Sequence, residues 1–409
     1  MFSPFARIRN DERGMSFVFV SLGFLAFLTA TTLAIDVGMF MTGRSQAQNS
    51  ADAGALSGAT ALVFDSFTDR TPSGPVVSSA LSAARANNVI SQPVSVGSGD
   101  VEFPNDPSGQ PTRVKVTVYR TSARSNAVPT LMGRLFGVST VDILATATAE
   151  ASPADSATCV LPFTVPDKWI EHSDGKGVAD GPWDPTKMFD LWYTKGSNQN
   201  GGVALPNPDV YVPPQPVGSS LTPTGFTLAA DRGVELTLKA NNTNNVSPSL
   251  YNPWDLPGST GGNDYRNNIA DCNTNLVKIG DNMVPEPGDM SGPTKQGVKD
   301  LIAKDPNAYW DSNCDNGAGC VMSGGSPNTR DDNSPRVGMV PLYDPSVYAN
   351  GQQSGKSQPQ LQVVNYLGFF VEKITAGGDV LGRIAPIVAL KTGNTSYVGT
   401  FAKVIRLVQ

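Results

Sequence analysis

The stretch ERGMSFVFVSLGFLAFLTATTLAIDVG, residues 12–38, contains no charged side chain between Gly14 and Ile35. A hydrocarbon core about 30 Å thick takes roughly 20 residues of helix at about 1.5 Å rise each, and this run is long enough. Gly14, Phe17, Leu22, Phe24, Leu28 and Ile35 are therefore read as residues of a transmembrane helix. A secretory signal peptide has a shorter apolar region, about 7 to 15 residues, with small residues in an A-x-A arrangement close behind. Here the first such triplet, Ala51-Asp52-Ala53, comes too late, so the segment reads as an anchor that stays. The competing reading is a buried helix of a soluble domain, but such helices rarely run so far without a polar face.

Orientation follows from the flanking basic residues. Arg7, Arg9 and Arg13 precede the run and only Arg44 follows it closely, which places residues 1–13 in the cytoplasm and the bulk of the chain across the membrane. The chain has 409 residues and a mean hydropathy of −0.17, so one apolar segment stands alone and a single span, not a polytopic protein, is expected. The net charge of −6 lacks the basic footprint that phosphate backbones require, so nucleic acid is not an expected partner. Charged residues at 16%, with 41 Gly and 32 Pro, favour turn-rich β structure over stacked helices. Cys159, Cys272, Cys314 and Cys320 all lie beyond the apolar run, and an even number in an oxidising compartment implies disulfides. Four cysteines allow three connectivities; the preferred one pairs Cys314 with Cys320, which closes a short turn, and leaves Cys159 with Cys272 by elimination.

The expected fold class is α+β: a single N-terminal transmembrane helix (14–35) continuing into a stalk helix (36–66), a small α+β module (67–152), and a loop-rich, mainly β periplasmic domain (153–409). The stalk is dense in Ala, Gly and Ser, which suits either close packing against another backbone or a solvent-washed amphipathic helix. In the module, residues 78–88 read as a helix and residues 100–103 and 112–120 as strands, with Val114, Val116 and Val118 turned inward. PTLMGRLFG, 129–137, opens on Pro129, spaces Leu131, Met132, Leu135 and Phe136 as a helix would, and closes on Gly137; a strand follows at 141–151. Beyond residue 153, dense proline forbids long helices, yet Trp169, Trp183, Trp192, Trp254 and Trp310 argue for order. A helix is expected from near Thr294 to just before Pro306, and strands at 336–344, 361–374, 383–391 and 401–409.

Catalytic chemistry is sparse. His172 is the one histidine, G-x-S-x-G and H-E-x-x-H are absent, and His172 reads as a loop residue. GQQSGKS, 351–357, has one residue too few between its glycines for a phosphate-cradling loop. Asp311, Asn313 and Asp315 alternate as calcium ligands would, but Met322 stands where a closing Glu belongs, so a turn stapled by Cys314 and Cys320 is the plainer reading. Neither a metal nor a cofactor is expected.

RGMSF, 13–17, resembles the processing region of type IV pilins and pseudopilins, with a basic leader, a Gly and an apolar helix. That family places a Glu five residues after the cleaved Gly, where this chain has Phe19, so an uncleaved anchor is expected and a minor pseudopilin cut after Gly14 is the alternative. Residues 9–60 as an ensemble resemble the N-terminal segment of TadG-like proteins of the Tad (Flp) pilus-assembly machinery. The resemblance rests on Glu12-Arg13-Gly14 before the apolar helix, Asp36 after it, and Arg44, Gln48, Asp52 and Ala53 in an R-x-x-x-Q-x-x-x-D-A pattern. Residues 100–150 and the stretches PEPGDMSGPTKQGV and VVNYLGFFVE are similar to later parts of such chains. Some relatives carry a von Willebrand A domain, whose D-x-S-x-S metal triplet is missing here. The resemblance implies a non-enzymatic inner-membrane component, its partners the lipid bilayer and other Tad subunits, with pilin or outer-membrane secretin components as further candidates. A third reading, a membrane-tethered periplasmic enzyme or glycan-binding module, would require a cleft uniting Trp183, Asp184, Glu286 and Asp289.

Overall fold

From Glu12 to Phe64 the chain has no proline and is rich in Ala, Leu and other helix-compatible residues, and it forms one uninterrupted helix, α1, about 80 Å long. The structure is a computed structural model and describes residues 12–172, 183–192, 204–243, 245–288, 290–353 and 360–408. Residues 1–11, with Arg7 and Arg9, and most of the GQQSGKS loop lie outside the described residues. Among the described residues α1 is the one helix long and apolar enough to cross a membrane. Phe17, Leu22, Phe24, Leu28 and Ile35 are all exposed, as residues facing lipid would be.

The second half of α1 is packed, which resolves the two readings of the stalk. Ala47, Ala51, Ala55 and Ala59 recur every four residues and are fully buried. They face a second helix, α2 (Pro75–Ala86), and a four-stranded sheet of order β11-β3-β2-β1. These strands are β1 (Val101–Glu102), β2 (Arg113–Arg120), β3 (Ile143–Pro153) and β11 (Lys403–Val408). Val114, Val116 and Val118 sit opposite Ala149, Ala147 and Ala145, so one face of this sheet is apolar and closes on the helices. The contact is close because bulk is missing: a Cβ on Gly58 would lie 2.7 Å from Val114 Cγ1, and one on Gly54 would lie 3.0 Å from Ala84 Cβ. Ser50 Oγ adds a buried bond to the Ala84 carbonyl at 2.7 Å.

The expected helix at 129–137 does not form. Val128–Pro129 pairs with Thr140–Val141, and between them Gly133–Phe136 makes a single 3-10 turn. Thr130 bonds back to residues 138 and 139 through its hydroxyl and its N–H, and Gly137 adopts φ +82°, so the closed hairpin has room for one turn only. The spacing of its apolar residues is helical by coincidence.

The rest of the chain is built on a seven-stranded sheet of order β5-β10-β9-β7-β6-β4-β8, which additional β5–β6 and β9–β8 pairings close into a ring. Its strands are β4 (Phe163–Pro166), β5 (Glu235–Ala240), β6 (Leu250–Asp255), β7 (Asn282–Pro285), β8 (Val337–Tyr343), β9 (Leu361–Ile374) and β10 (Val380–Ile384). Val165, Leu236, Leu342, Phe369 and Ile384 join the same core as the α1 alanines. Met339, Tyr343, Val363 and Tyr366 face a second core with Trp169, Phe189 and Trp254. The strand expected at 383–391 ends at Ile384, just before Pro386, and continues as isolated bridges at Val388 and Leu390. Helix α4 (Ser291–Lys304) lies where expected, but α3 (Gly261–Ala270) was hidden by its composition. Its start is held by Glu286, which accepts the Gly261 N–H from across the fold at 2.9 Å.

The small-residue face gives a direct test. Gly58→Leu drives a side chain into Val114 and Ala80 and is expected to destabilise the full chain in detergent by about 1–3 kcal/mol in denaturant unfolding. Gly23→Leu, with nothing within 4 Å of its Cβ position, is expected to leave the midpoint unchanged.

Candidate functional site

Helix α1 is fastened at both ends of its packed half. At the near end, Asp36 follows the uncharged run directly and is buried at 3% exposure. Its carboxylate accepts the N–H groups of Leu131, Met132 and Gly133 at 2.8, 2.9 and 2.8 Å. Burial raises the pKa of this acid, but the three backbone donors outweigh it and hold the group below the ordinary carboxylate value. Asp36 therefore ties the hairpin to the helix at the level where the apolar run ends.

Along the middle, the family-pattern residues divide. Gln48 donates its amide to Asp52 at 2.8 Å and to the Thr146 carbonyl at 3.3 Å, linking helix and sheet. Arg44 is exposed and borders, with Met41, Gln48 and Leu144, an open groove between α1 and β3. Ala53 is half-buried. Glu12 and Arg13 begin the helix, and Gly14 is exposed on its first turns.

At the far end, two arginines that sequence reasoning missed close on the helix C-terminus. Arg232 donates to the carbonyls of Phe64, Asp65 and Gly319 and pairs with Asp315. Arg330 donates to the Phe64 carbonyl and pairs with Asp65, Asp315 and Asp332. Helix C-termini leave carbonyls unpaired at the negative end of the macrodipole, and two guanidinium groups answer both needs. Burial pulls the Arg232 pKa down, with Asp315 opposing, and pushes the Asp65 carboxyl up, with Arg330 opposing.

The loop presenting Asp315 and the Gly319 carbonyl is bracketed by the Cys314–Cys320 disulfide, with Cα atoms 5.9 Å apart. The second bridge joins Cys159 to Cys272 at a Cα separation of 4.4 Å, so both expected pairings are present. Asp315 is committed to the arginines and both sulfurs to each other, and Asp311 closes a local turn by accepting the Asn313 N–H at 2.9 Å.

The residues of the cleft reading have separate neighbours. Trp183 packs edge-on to Phe226 at 5.3 Å, Asp184 caps Thr186, and Glu286 holds Gly261; Asp289 lies outside the described residues. His172 sits in a loop, its ring Nδ1 2.7 Å from the Pro208 carbonyl. A cavity of about 400 Å³ adjoins Phe64, Leu161, Leu301 and the Cys159–Cys272 bridge.

The strongly shifted carboxyls act as loop ties. Burial raises Asp167 to about 6, against the Phe226 and Lys168 N–H groups, Asn365 and Tyr211. Burial likewise raises Asp209 to about 6, and burial with Asp255 raises Glu286 to about 7. Folded values above the unfolded ones mean that the native state binds more protons between about pH 4 and 7, so stability falls as pH rises through that window. The full chain is expected to unfold at higher denaturant at pH 5 than at pH 7.5, and Asp167→Asn to flatten that slope. At the far clasp, Arg232→Ala leaves the Asp65 and Gly319 carbonyls without their side-chain donor, while Phe64 and Asp315 keep Arg330, and is expected to cost about 2 kcal/mol in equilibrium unfolding.

Comparison with known proteins places the family pattern on this helix. Residues 14–61 match the Tad family, described as Putative Flp pilus-assembly TadE/G-like. We found no match among curated proteins and none among solved structures. The matched residues begin in the apolar run, include Asp36 and the small-residue face, and stop three residues short of the arginine clasp at Phe64. The TadE/G-like match therefore covers one segment of the chain, residues 14–61, and that segment forms most of the helix on which the fold is assembled.

Proposed function

We propose that this chain is a non-enzymatic, single-pass component of the Tad/Flp pilus-assembly machinery, anchored in the bacterial inner membrane by residues 14–35. Its N-terminus faces the cytoplasm and residues 36–409 stand in the periplasm, where they contact other Tad subunits. The observation that carries the reading is the coincidence of the TadE/G-like segment with α1, a helix apolar at one end and buried in the core at the other. Such a helix transmits position: whatever moves or restrains it in the bilayer moves the folded domain with it. The arginines ahead of the run support the orientation, and the two disulfides support an oxidising compartment.

The test is a chromosomal deletion in a piliated host, scored for Flp pili by electron microscopy and complemented with the full chain. Loss of pili on deletion and their return on complementation are expected, with membrane-extracted protein still carrying the residues before Met15 by N-terminal sequencing. Unchanged piliation would refute the assembly role. A new N-terminus at Met15 would replace the anchor with a cleaved pseudopilin.

A further inference from the structure

The hairpin that Asp36 holds carries apolar side chains with nothing over them. Leu131 is 57%, Phe136 64% and Val138 49% exposed, and they cluster about the single turn Gly133–Phe136. Exposed to water, such a cluster forgoes about 25 cal/mol for each Å² of apolar surface left wet. Its height along α1 is fixed, because three N–H groups from Leu131 to Gly133 converge on one carboxylate. That carboxylate belongs to Asp36, the first charged residue after the uncharged run that ends at Ile35.

The position explains both partners. A carboxylate beside the hydrocarbon layer is costly unless charge-assisted hydrogen bonds replace its water, and the hairpin supplies three. An apolar turn is costly in water, and the end of the apolar run is where headgroups and acyl chains begin. Val37 and Met41 continue the apolar surface on α1 beyond Asp36, at 45% and 72% exposure. Arg134, exposed on the same turn, has the long stem and charged head that reach lipid phosphates from such a depth.

We propose that the hairpin is a second membrane contact: the turn bearing Leu131, Phe136 and Val138 beds into the interfacial layer of the bilayer that α1 crosses, with Arg134 at the lipid phosphates. The inference rests on reading α1 as the membrane span. Two contacts in place of one set the rotation of the helix about its axis as well as its depth, which a single apolar cylinder leaves free.

The test is photo-crosslinking of the full chain in nanodiscs of phosphatidylethanolamine and phosphatidylglycerol, with benzoylphenylalanine at one position at a time. Position 24 reports on the span, position 136 on the hairpin, and position 309 on the outer domain, about 40 Å beyond Asp36 at the Phe64 end of the helix. Lipid adducts read by mass spectrometry are expected at 24 and 136, and at position 309 at least about tenfold less. Adducts at 24 with none at 136 overturn the inference and leave the anchor standing. Adducts at neither position remove the anchor and the inference together. A position-136 adduct to a protein in intact cells, with none to lipid in nanodiscs, overturns it in favour of a protein-docking face.

Discussion

Helix α1 has to be small along one side. Everything else in the fold depends on the backbone of its second half lying within a methyl group of Val114, Val116, Ala80 and Ala84, and only Ala, Gly and Ser along that stripe permit it. Close packing over four helical turns then does what a flexible stalk could not. It makes the apolar run and the folded core parts of one rigid body, because the helix that leaves the apolar region is the helix around which the sheet is laid. The clasps at Asp36 and Phe64 add directional bonds at each end of this contact. One presents an anion to three N–H groups and the other presents cations to the last carbonyls, so each complements the charge it meets.

The outer ring of strands extends the same logic over long sequence separations. The last strand, β11, returns to pair with β3 in the sheet beneath α1, so the chain crosses from the ring back to the helix-bearing layer. Arg232 and Arg330 reach Phe64 across 168 and 266 residues. The Cys314–Cys320 bridge contributes at one remove, by holding the loop whose acid and carbonyl orient Arg232. A domain joined to its helix by main-chain carbonyls, buried charge and a shared apolar core is suited to carrying load without a hinge.

What the sequence disclosed follows from how local each cause was. The apolar run, the alternating valines of β2, the last strand and the short disulfide turn were legible because length, period two or a brief loop decided them. The second bridge followed from the first. The hairpin at 129–137 was misread because its spacing obeys helical periodicity while its conformation is set by Asp36, far away in sequence, and by Gly137. Helix α3 was invisible because its start is secured by Glu286, the residue just past β7. Nothing near Arg232 or Arg330 marks them as capping α1, since their partners exist only once the ring has closed. Small residues in the stalk could be read as packing or as polarity; the structure shows packing.

One continuous, rigid α1 is the claim on which the rest stands, and hydrogen exchange of the full chain in nanodiscs, read by mass spectrometry along residues 36–64, tests it most directly. Slow exchange throughout that span, as slow as in β2 and β3 and without a step at either clasp, is the result a shared rigid body requires. Rapid exchange between residues 36 and 46, with protection confined to the alanine stripe, would show a hinge between the apolar run and the core and would contradict it.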